Sequence, residues 1–427
     1  MDRTKYTLLL YLLSPLIWLY FVKRGINDRR YFNYLNQRLG FSNKPDKTGG
    51  IHIHCASMGE TIAASPLIRA IAKQFPSLPI TITSTTPTGR EEALKIIHKL
   101  NKKNIQHCYL PIDWPGACRR FINNLQPKLS ILMETELWPN LLNRLSKTDI
   151  PILLANARMS DSSTRKYLKH PKLSKQIFSK LTTISAQYQS DKDNFIKLGA
   201  NQKDIELVGN IKFDIQIDSK IVNQQEKLRA AWANNRPCWI AASIHPKEFD
   251  SILKAHKQLL EKFPSLLLIA VARHPERFEE LKQECRNSKL NFVSRTDNLS
   301  ACSEHSVLVG DSMGELLLFY GAADIAFVGG SLIPRGGHNP IEATACGLPV
   351  LMGTSDFNFS DVTQKLKSEN VLDTVNNKDE LIEKLELLIS DTALLKGKSE
   401  LARKAIVANK GALSKMLSSI SSILANS

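Results

Sequence analysis

No two of the seven cysteines stand in a C-x-x-C pair. Cys55, Cys108, Cys118, Cys238, Cys285, Cys302 and Cys346 form an odd, scattered set that suits neither a disulfide framework nor a zinc site. They read as small apolar residues in a reducing cytosol. His274 and His338 show no metal-ligand spacing either, so no metal is expected. Zinc-finger spacing, the aromatic motifs that read RNA and basic heptads are all missing. That weighs against nucleic acid as the partner, although Lys and Arg outnumber Asp and Glu by 57 to 41, a net charge of +16. Such an excess points instead to phospholipid or to phosphorylated small molecules.

The chain has 427 residues, too many for one hydrophobic core and enough for two domains plus an anchor. Its 43% hydrophobic and 23% charged content is that of an ordinary globular protein. Thr7 to Val22 is an apolar run without a charge, interrupted only by Ser14 and Pro15. Lys23, Arg24, Arg29, Arg30 and Arg38 follow it. A cleaved signal peptide places its charge first and ends in small residues, and neither holds here. Residues 1–24 are therefore expected to form a single N-terminal membrane anchor helix, with the remainder on the cytoplasmic side. The run is slightly short of the roughly 20 residues that span a bilayer, so spanning and interfacial placement both stay open.

From residue 50 strand-like and helix-like stretches alternate. The strand-like runs are 51–57, 80–86, 129–135, 150–158 and 181–187. The run 65–75 reads as a helix capped by Ser65, with Pro66 in its first turn. The pattern ends near 206–214, and a second series runs over 238–244, 265–273, 306–311, 324–331 and 348–353. This order predicts an α/β protein with two doubly wound parallel sheets. Its expected parts are 25–214, a linker at 215–235, and 236–427 including the C-terminal helices. A cleft is expected between the two domains, with ligands beyond the carboxyl ends of the strands.

The loop after the first run, His54 to Glu60, ends in a glycine and a carboxylate. Glu60 suits a general base, and equally an acid that complements a helix dipole. Glu134 and Glu136 flank Thr135 at another strand end, where alternation predicts one side chain inward and one outward. Asn156, Arg158, Asn210 and Lys212 end neighbouring runs. In the second half Gly329-Gly330-Ser331 precedes Pro334 to Ala343. These glycines allow backbone N–H groups to approach a phosphate, with a helix beginning near Pro340. The segment is neither a G-x-G-x-x-G after the first strand nor a Walker loop, because no G-K-[ST] follows it. A nucleotide sugar fits better than a dinucleotide or ATP, with Glu342 placed to bond ribose hydroxyls.

The ordered set S-x-G-E, M-E-T-E-L-W-P-N, N-A-R-x-S, G-N-x-K-F-D, R-H-P-E-R-F, G-D-x-M-G-E-L and F-V-G-G-S-L…R-G-G-H-N-P-x-E-A covers nearly the whole chain. It resembles the 3-deoxy-octulosonic acid (Kdo) transferases of lipopolysaccharide synthesis. The resemblance implies a GT-B fold and an inverting transfer of Kdo from CMP-Kdo to the 6′-hydroxyl of lipid IVA, a lipid A precursor. It implies no cofactor, no metal, and a place at the cytoplasmic face of the bacterial inner membrane among anionic lipids. It further implies Glu60 as general base, with Glu134 and Lys212 stabilising the transition state. Ala272, Arg273, Met313, Gly314, Glu315, Asn339, Pro340, Ile341 and Glu342 would hold the CMP moiety. The chain departs from the family pattern at Met58, at Ala272 and over Ser243 to Glu248, and the last of these loops is assigned no role. Two other readings stay open, a GT-B transferase or epimerase that uses a UDP-sugar, and a non-enzymatic membrane-bound nucleotide-sugar sensor.

Overall fold

The computed structural model describes residues 1–426 apart from 43, 44, 46, 216 and 298–303. Two units emerge, Met1–Asp214 with Lys410–Ser427, and Ile215–Asn409. The first carries strands β1 (Ile51–His54), β2 (Ile80–Ser84), β3 (Ile105–Tyr109), β4 (Leu129–Met133), β5 (Ile152–Ala157), β6 (Thr183–Ala186) and β7 (Ile205–Leu207). They pair in parallel in the order β3-β2-β1-β4-β5-β6-β7. Successive residues of a strand face opposite ways, and both faces are packed here. Ile131, Met133, Leu153 and Ala155 enter one core cluster, whereas Leu132, Ile152 and Leu154 enter the other. The sheet is buried on both sides.

In the second unit β8 (Cys238–Ile244), β9 (Leu267–Ala272), β10 (Phe292–Ser294), β11 (Val307–Val309), β12 (Ile325–Val328), β13 (Val350–Met352) and β14 (Leu372–Thr374) form another parallel sheet. Its order is β10-β11-β9-β8-β12-β13-β14. Each sheet therefore reverses direction once, between β1 and β4 in the first and between β8 and β12 in the second. In open α/β sheets such a reversal opens a crevice at the carboxyl ends of the strands. The two reversals mark where each unit can hold a ligand.

Several expectations need correcting. The helix expected from Ser65 begins at Met58, because Ser57 accepts the Glu60 N–H as its cap; Pro66 lies inside it. The stretch read as a linker contains the helix Ser219–Ala233, which buries Gln225, Trp232 and Ala233 in the second unit. Gln225 donates to the Leu317 carbonyl and Arg229 to that of Ala322. The final helix, Ala412–Ala425, packs on the first unit rather than the second. Asp214 accepts from the N–H groups of Gly411 and Leu413. Met416 and Ile420 complete the core beside Ile71.

The single anchor helix is likewise replaced by two, Arg3–Leu12 and Ser14–Asn27, bent by 56°. Pro15 sits in the first turn of the second helix, where its missing N–H costs nothing but its ring prevents one continuous helix. Among the described residues no single helix is long and apolar enough to cross a membrane. One side of the pair packs on the first unit. Arg3 and Thr7 both donate to the Asn140 side-chain oxygen, and Tyr11 stacks on Trp114 with ring centroids 6.1 Å apart. The other side leaves Leu12 76% and Leu16 60% exposed, an apolar face without a protein partner in the described residues.

Candidate active site

In the first unit the loops after β1 and β4 meet at the reversal. Ser57, extended at φ −119°, caps the helix Met58–Gln74 and thereby fixes Glu60 in its first turn. The Glu60 carboxylate accepts from the Ala56 N–H at 2.8 Å and from the Ser57 hydroxyl at 3.0 Å. Glu60 therefore closes a helix cap and also lies at the crevice. Burial, opposed by the Ala56 N–H, together with the negative fields of Glu136 and Glu134, pushes its carboxyl up to about 7. A group poised near neutral pH suits proton abstraction.

Glu134 follows β4 with φ 55°, a left-handed backbone rare outside glycine and concentrated at functional sites. This turn breaks the alternation expected of Glu134 and Glu136, so neither carboxylate is driven into the core. Instead Glu134 lies 4.0 Å from the Lys212 ammonium, with both side chains part-exposed. Lys212 occupies a short turn capped by Asn210. Beneath it runs a buried amide network: Asn210 donates to Gln187, Gln187 to the Asn156 carbonyl, and Ile211 N–H to the Asn156 side chain. Asn156 has φ 50° inside an irregularity of β5, which aims its amide at that turn.

Glu136, the second acid of that strand-end pair, lies beside the same crevice. It accepts from Trp138 Nε1 at 3.2 Å and lies 3.9 Å from Nε2 of the buried His54. Burial, eased by the Trp138 bond, and the field of Glu134 raise its carboxyl. Burial also holds His54 down at about 3, so that imidazole is neutral. Three carboxylates and one lysine thus share the crevice. Among the described residues no group of three His, Cys, Asp or Glu side chains is arranged to hold a metal ion.

In the second unit the reversal is built around Glu248, to which the sequence assigned nothing. It is 1% exposed and accepts from the N–H groups of Gly330, Ser331 and Leu332 and from that of His245. Glu248 therefore ties the loop after β8 to the glycine-rich loop after β12. Gly330 (φ 70°) and Gly337 (φ 68°) need glycine's left-handed freedom, and the Gly337 N–H donates to the Gly330 carbonyl. His338 then stacks on His245 with their Nε2 atoms 3.0 Å apart, and His274 packs on His245 edge-on. Burial and the nearby Arg273 hold His338 down at about 4.

The residues expected around CMP lie at this same strand edge. Ala272 ends β9, and Arg273 follows it with its side chain exposed. Met313 is exposed, and Gly314 (φ 81°) turns the chain into Glu315. Glu315 is bound by Arg295 and by the Ser312 hydroxyl; burial raises its carboxyl, but those partners leave it lowered. Asn339 caps Ile341 N–H beside Pro340, yet the helix there spans only Ile341–Ala345, too short for a strong dipole. Burial raises the Glu342 carboxyl while Arg273 opposes the rise.

Comparison with known proteins follows this division. Residues 33–215 match the family described as 3-Deoxy-D-manno-octulosonic-acid transferase (kdotransferase), and residues 238–407 match Glycosyl transferases group 1. A 3-deoxy-D-manno-octulosonic acid transferase of Haemophilus influenzae is 39% identical over 98% of this chain and 97% of its own length. That of Bordetella pertussis is 32% identical over 98% of this chain and 99% of its own. The solved UDP-GlcNAc 2-epimerase of Neisseria meningitidis bound to UDP-GlcNAc has a TM-score of 0.56 at 13% identity, covering 87% of this chain and 99% of that one. At that identity the likeness concerns the two-domain GT-B-like fold alone.

Proposed function

The chain belongs to the 3-deoxy-D-manno-octulosonic acid transferase family, a glycosyltransferase of lipopolysaccharide synthesis, and from that premise we propose that it moves Kdo from CMP-Kdo to the 6′-hydroxyl of lipid IVA. The observation that carries the reading is Glu60, held at the crevice by Ser57 and Ala56 with its carboxyl near 7. Glu60 takes the proton of the acceptor hydroxyl. The freed oxygen bonds to C2 of Kdo from the face opposite the phosphate, while the C2–O bond breaks and its electron pair leaves with CMP. Positive charge develops on the sugar, and Glu134 eases it. Lys212, 4.0 Å away, keeps Glu134 oriented. In the second unit Arg273, exposed just after β9, faces the leaving phosphate. Ala272, Met313 to Glu315, and Asn339 to Glu342 frame the nucleotide.

Donor choice is testable by calorimetric titration of the full chain. CMP is expected to bind and UDP not to, with Arg273→Ala weakening CMP by about 10-fold or more through loss of a charge-assisted bond. Tighter binding of UDP than of CMP would favour the UDP-sugar reading.

The N-terminal helix pair supports attachment to the cytoplasmic face of the inner membrane. Its exposed leucines and the exposed Lys23 and Arg24 suit an interfacial helix on an anionic surface. Flotation with phosphatidylglycerol vesicles is expected to carry the protein upward, and the triple change of Leu12, Leu16 and Leu19 to Glu to abolish this. Flotation that survives the triple change would count against the helix pair as the anchor.

A further inference from the structure

Between the N-terminal helix pair and the ends of β2 and β3 lies a cavity of about 310 Å³. Its walls are mostly apolar, with Leu10, Ile17 and Phe21 on the helix side and Leu110 and Ile112 on the sheet side. Among the described residues one cation lines it. Arg38 is 3% exposed, and its Nη2 donates to the Thr85 carbonyl at 2.7 Å. Its guanidinium lies over the rings of Tyr109, at 3.9 Å, and Phe21, at 5.2 Å. Among the described residues no carboxylate pairs with it, and its Nε finds no hydrogen-bond partner. Asp113 borders the same cavity, but its oxygens are taken by the N–H groups of Asn140 and Leu141. A buried cation without a counter-ion is costly, and an apolar chamber around it calls for a ligand with one acidic group and a hydrocarbon body.

The cavity adjoins the proposed base. Arg38 donates to the Thr85 carbonyl; the Thr85 N–H and hydroxyl both donate to the Ala56 carbonyl; the Ala56 N–H donates to Glu60. Trp138, which bonds Glu136, lines the cavity as well. We propose that this chamber seats an acyl chain of the acceptor glycolipid, with Arg38 as the counter-ion of an acceptor phosphate. The proposal rests on the lipid-acceptor reading above and adds its subsite. The occupant is the acceptor rather than a bilayer phospholipid because the chamber connects through three links to the group that deprotonates the acceptor. The N-terminal helices would then form one wall of the active site as well as the contact with the membrane.

The test labels the full chain with a tetraacyl acceptor carrying a diazirine on one acyl chain, in parallel with a diazirine phosphatidylglycerol in vesicles. Acceptor labelling is expected at Ile17, Phe21, Leu110 and Ile112. Labelling confined to Leu12, Leu16 and Leu19 would overturn the proposal, as would phospholipid labelling of the cavity that excess acceptor does not displace. Filling the chamber with Ile17→Trp is expected to lower the kcat/KM preference for acylated over deacylated acceptor at least about 10-fold. Arg38→Gln is expected to narrow the preference for phosphorylated over dephosphorylated acceptor by a similar factor. Preferences within about twofold of wild type in both variants would contradict the assignment. Should the wild type label in the cavity but transfer no Kdo, the lipid site would stand and the transferase reaction would fall.

Discussion

Glu60→Gln is expected to lower kcat by about 10²–10⁴-fold while making the fold more stable at alkaline pH. Gln keeps an acceptor for the Ala56 or Ser57 bond but cannot take the proton of the acceptor hydroxyl. The stability gain follows from the raised carboxyl. In the folded chain Glu60 titrates near 7, above its ordinary value of 4.5. Below the ordinary value the carboxyl is protonated in both states and costs nothing. Between about 4.5 and 7 the unfolded chain ionises while the folded one does not, so the cost builds over that window; above 7 the folded state holds a partly buried charge that the unfolded chain solvates. With partial exposure allowed for, that cost is about 1–3 kcal/mol above pH 7. Denaturant midpoints at pH 4 and pH 8 check it: the variant should match wild type at the lower pH and exceed it at the higher. For the wild type, kcat/KM should rise with pH through about 7, because only the ionised form is a base. Unchanged activity would remove Glu60 as the base.

Glu248→Ala is expected to be the most destabilising of the site variants. Its carboxylate satisfies four backbone N–H groups in a position 1% exposed. Removing it should cost about 3–5 kcal/mol. The melting temperature should fall on the order of 10 °C. Glu248→Gln should fall between the two, since its amide nitrogen must face backbone donors. Thermal unfolding by circular dichroism measures this, and a fall below about 2 °C would show that the clip is dispensable. Where the variant folds, nucleotide affinity should drop as well, because Gly330 and His245 lose their common tether.

The architecture was legible where strands are long and buried on both faces. ITITS, LSILM and CWIAASI announce themselves because a central parallel strand favours β-branched or apolar residues on both faces. The edge strands β3, β10 and β14 were not read, since one side of each is free of pairing and their sequences IQHCY, FVS and LDT are short or half polar. The helix Ser219–Ala233 was mistaken for a linker because only a few of its side chains are buried and the rest look like solvated chain. Glu60, Glu134 and Lys212 could be placed at the crevice because each follows a strand run, where the fold puts ligands. Glu248 and Arg38 could not. A glutamate in a first helical turn and an arginine in a basic stretch are ordinary until the structure shows one buried among N–H donors and the other beside an apolar chamber.

Product mass spectrometry tests the central claim most directly. Purified protein is given CMP-Kdo and tetraacyl lipid A precursor in the presence of EDTA. The expected result is acceptor heavier by one or more Kdo units, lost in Glu60→Gln. An unchanged acceptor, with sugar transfer from a UDP-sugar under the same conditions, would contradict the assignment of donor and reaction.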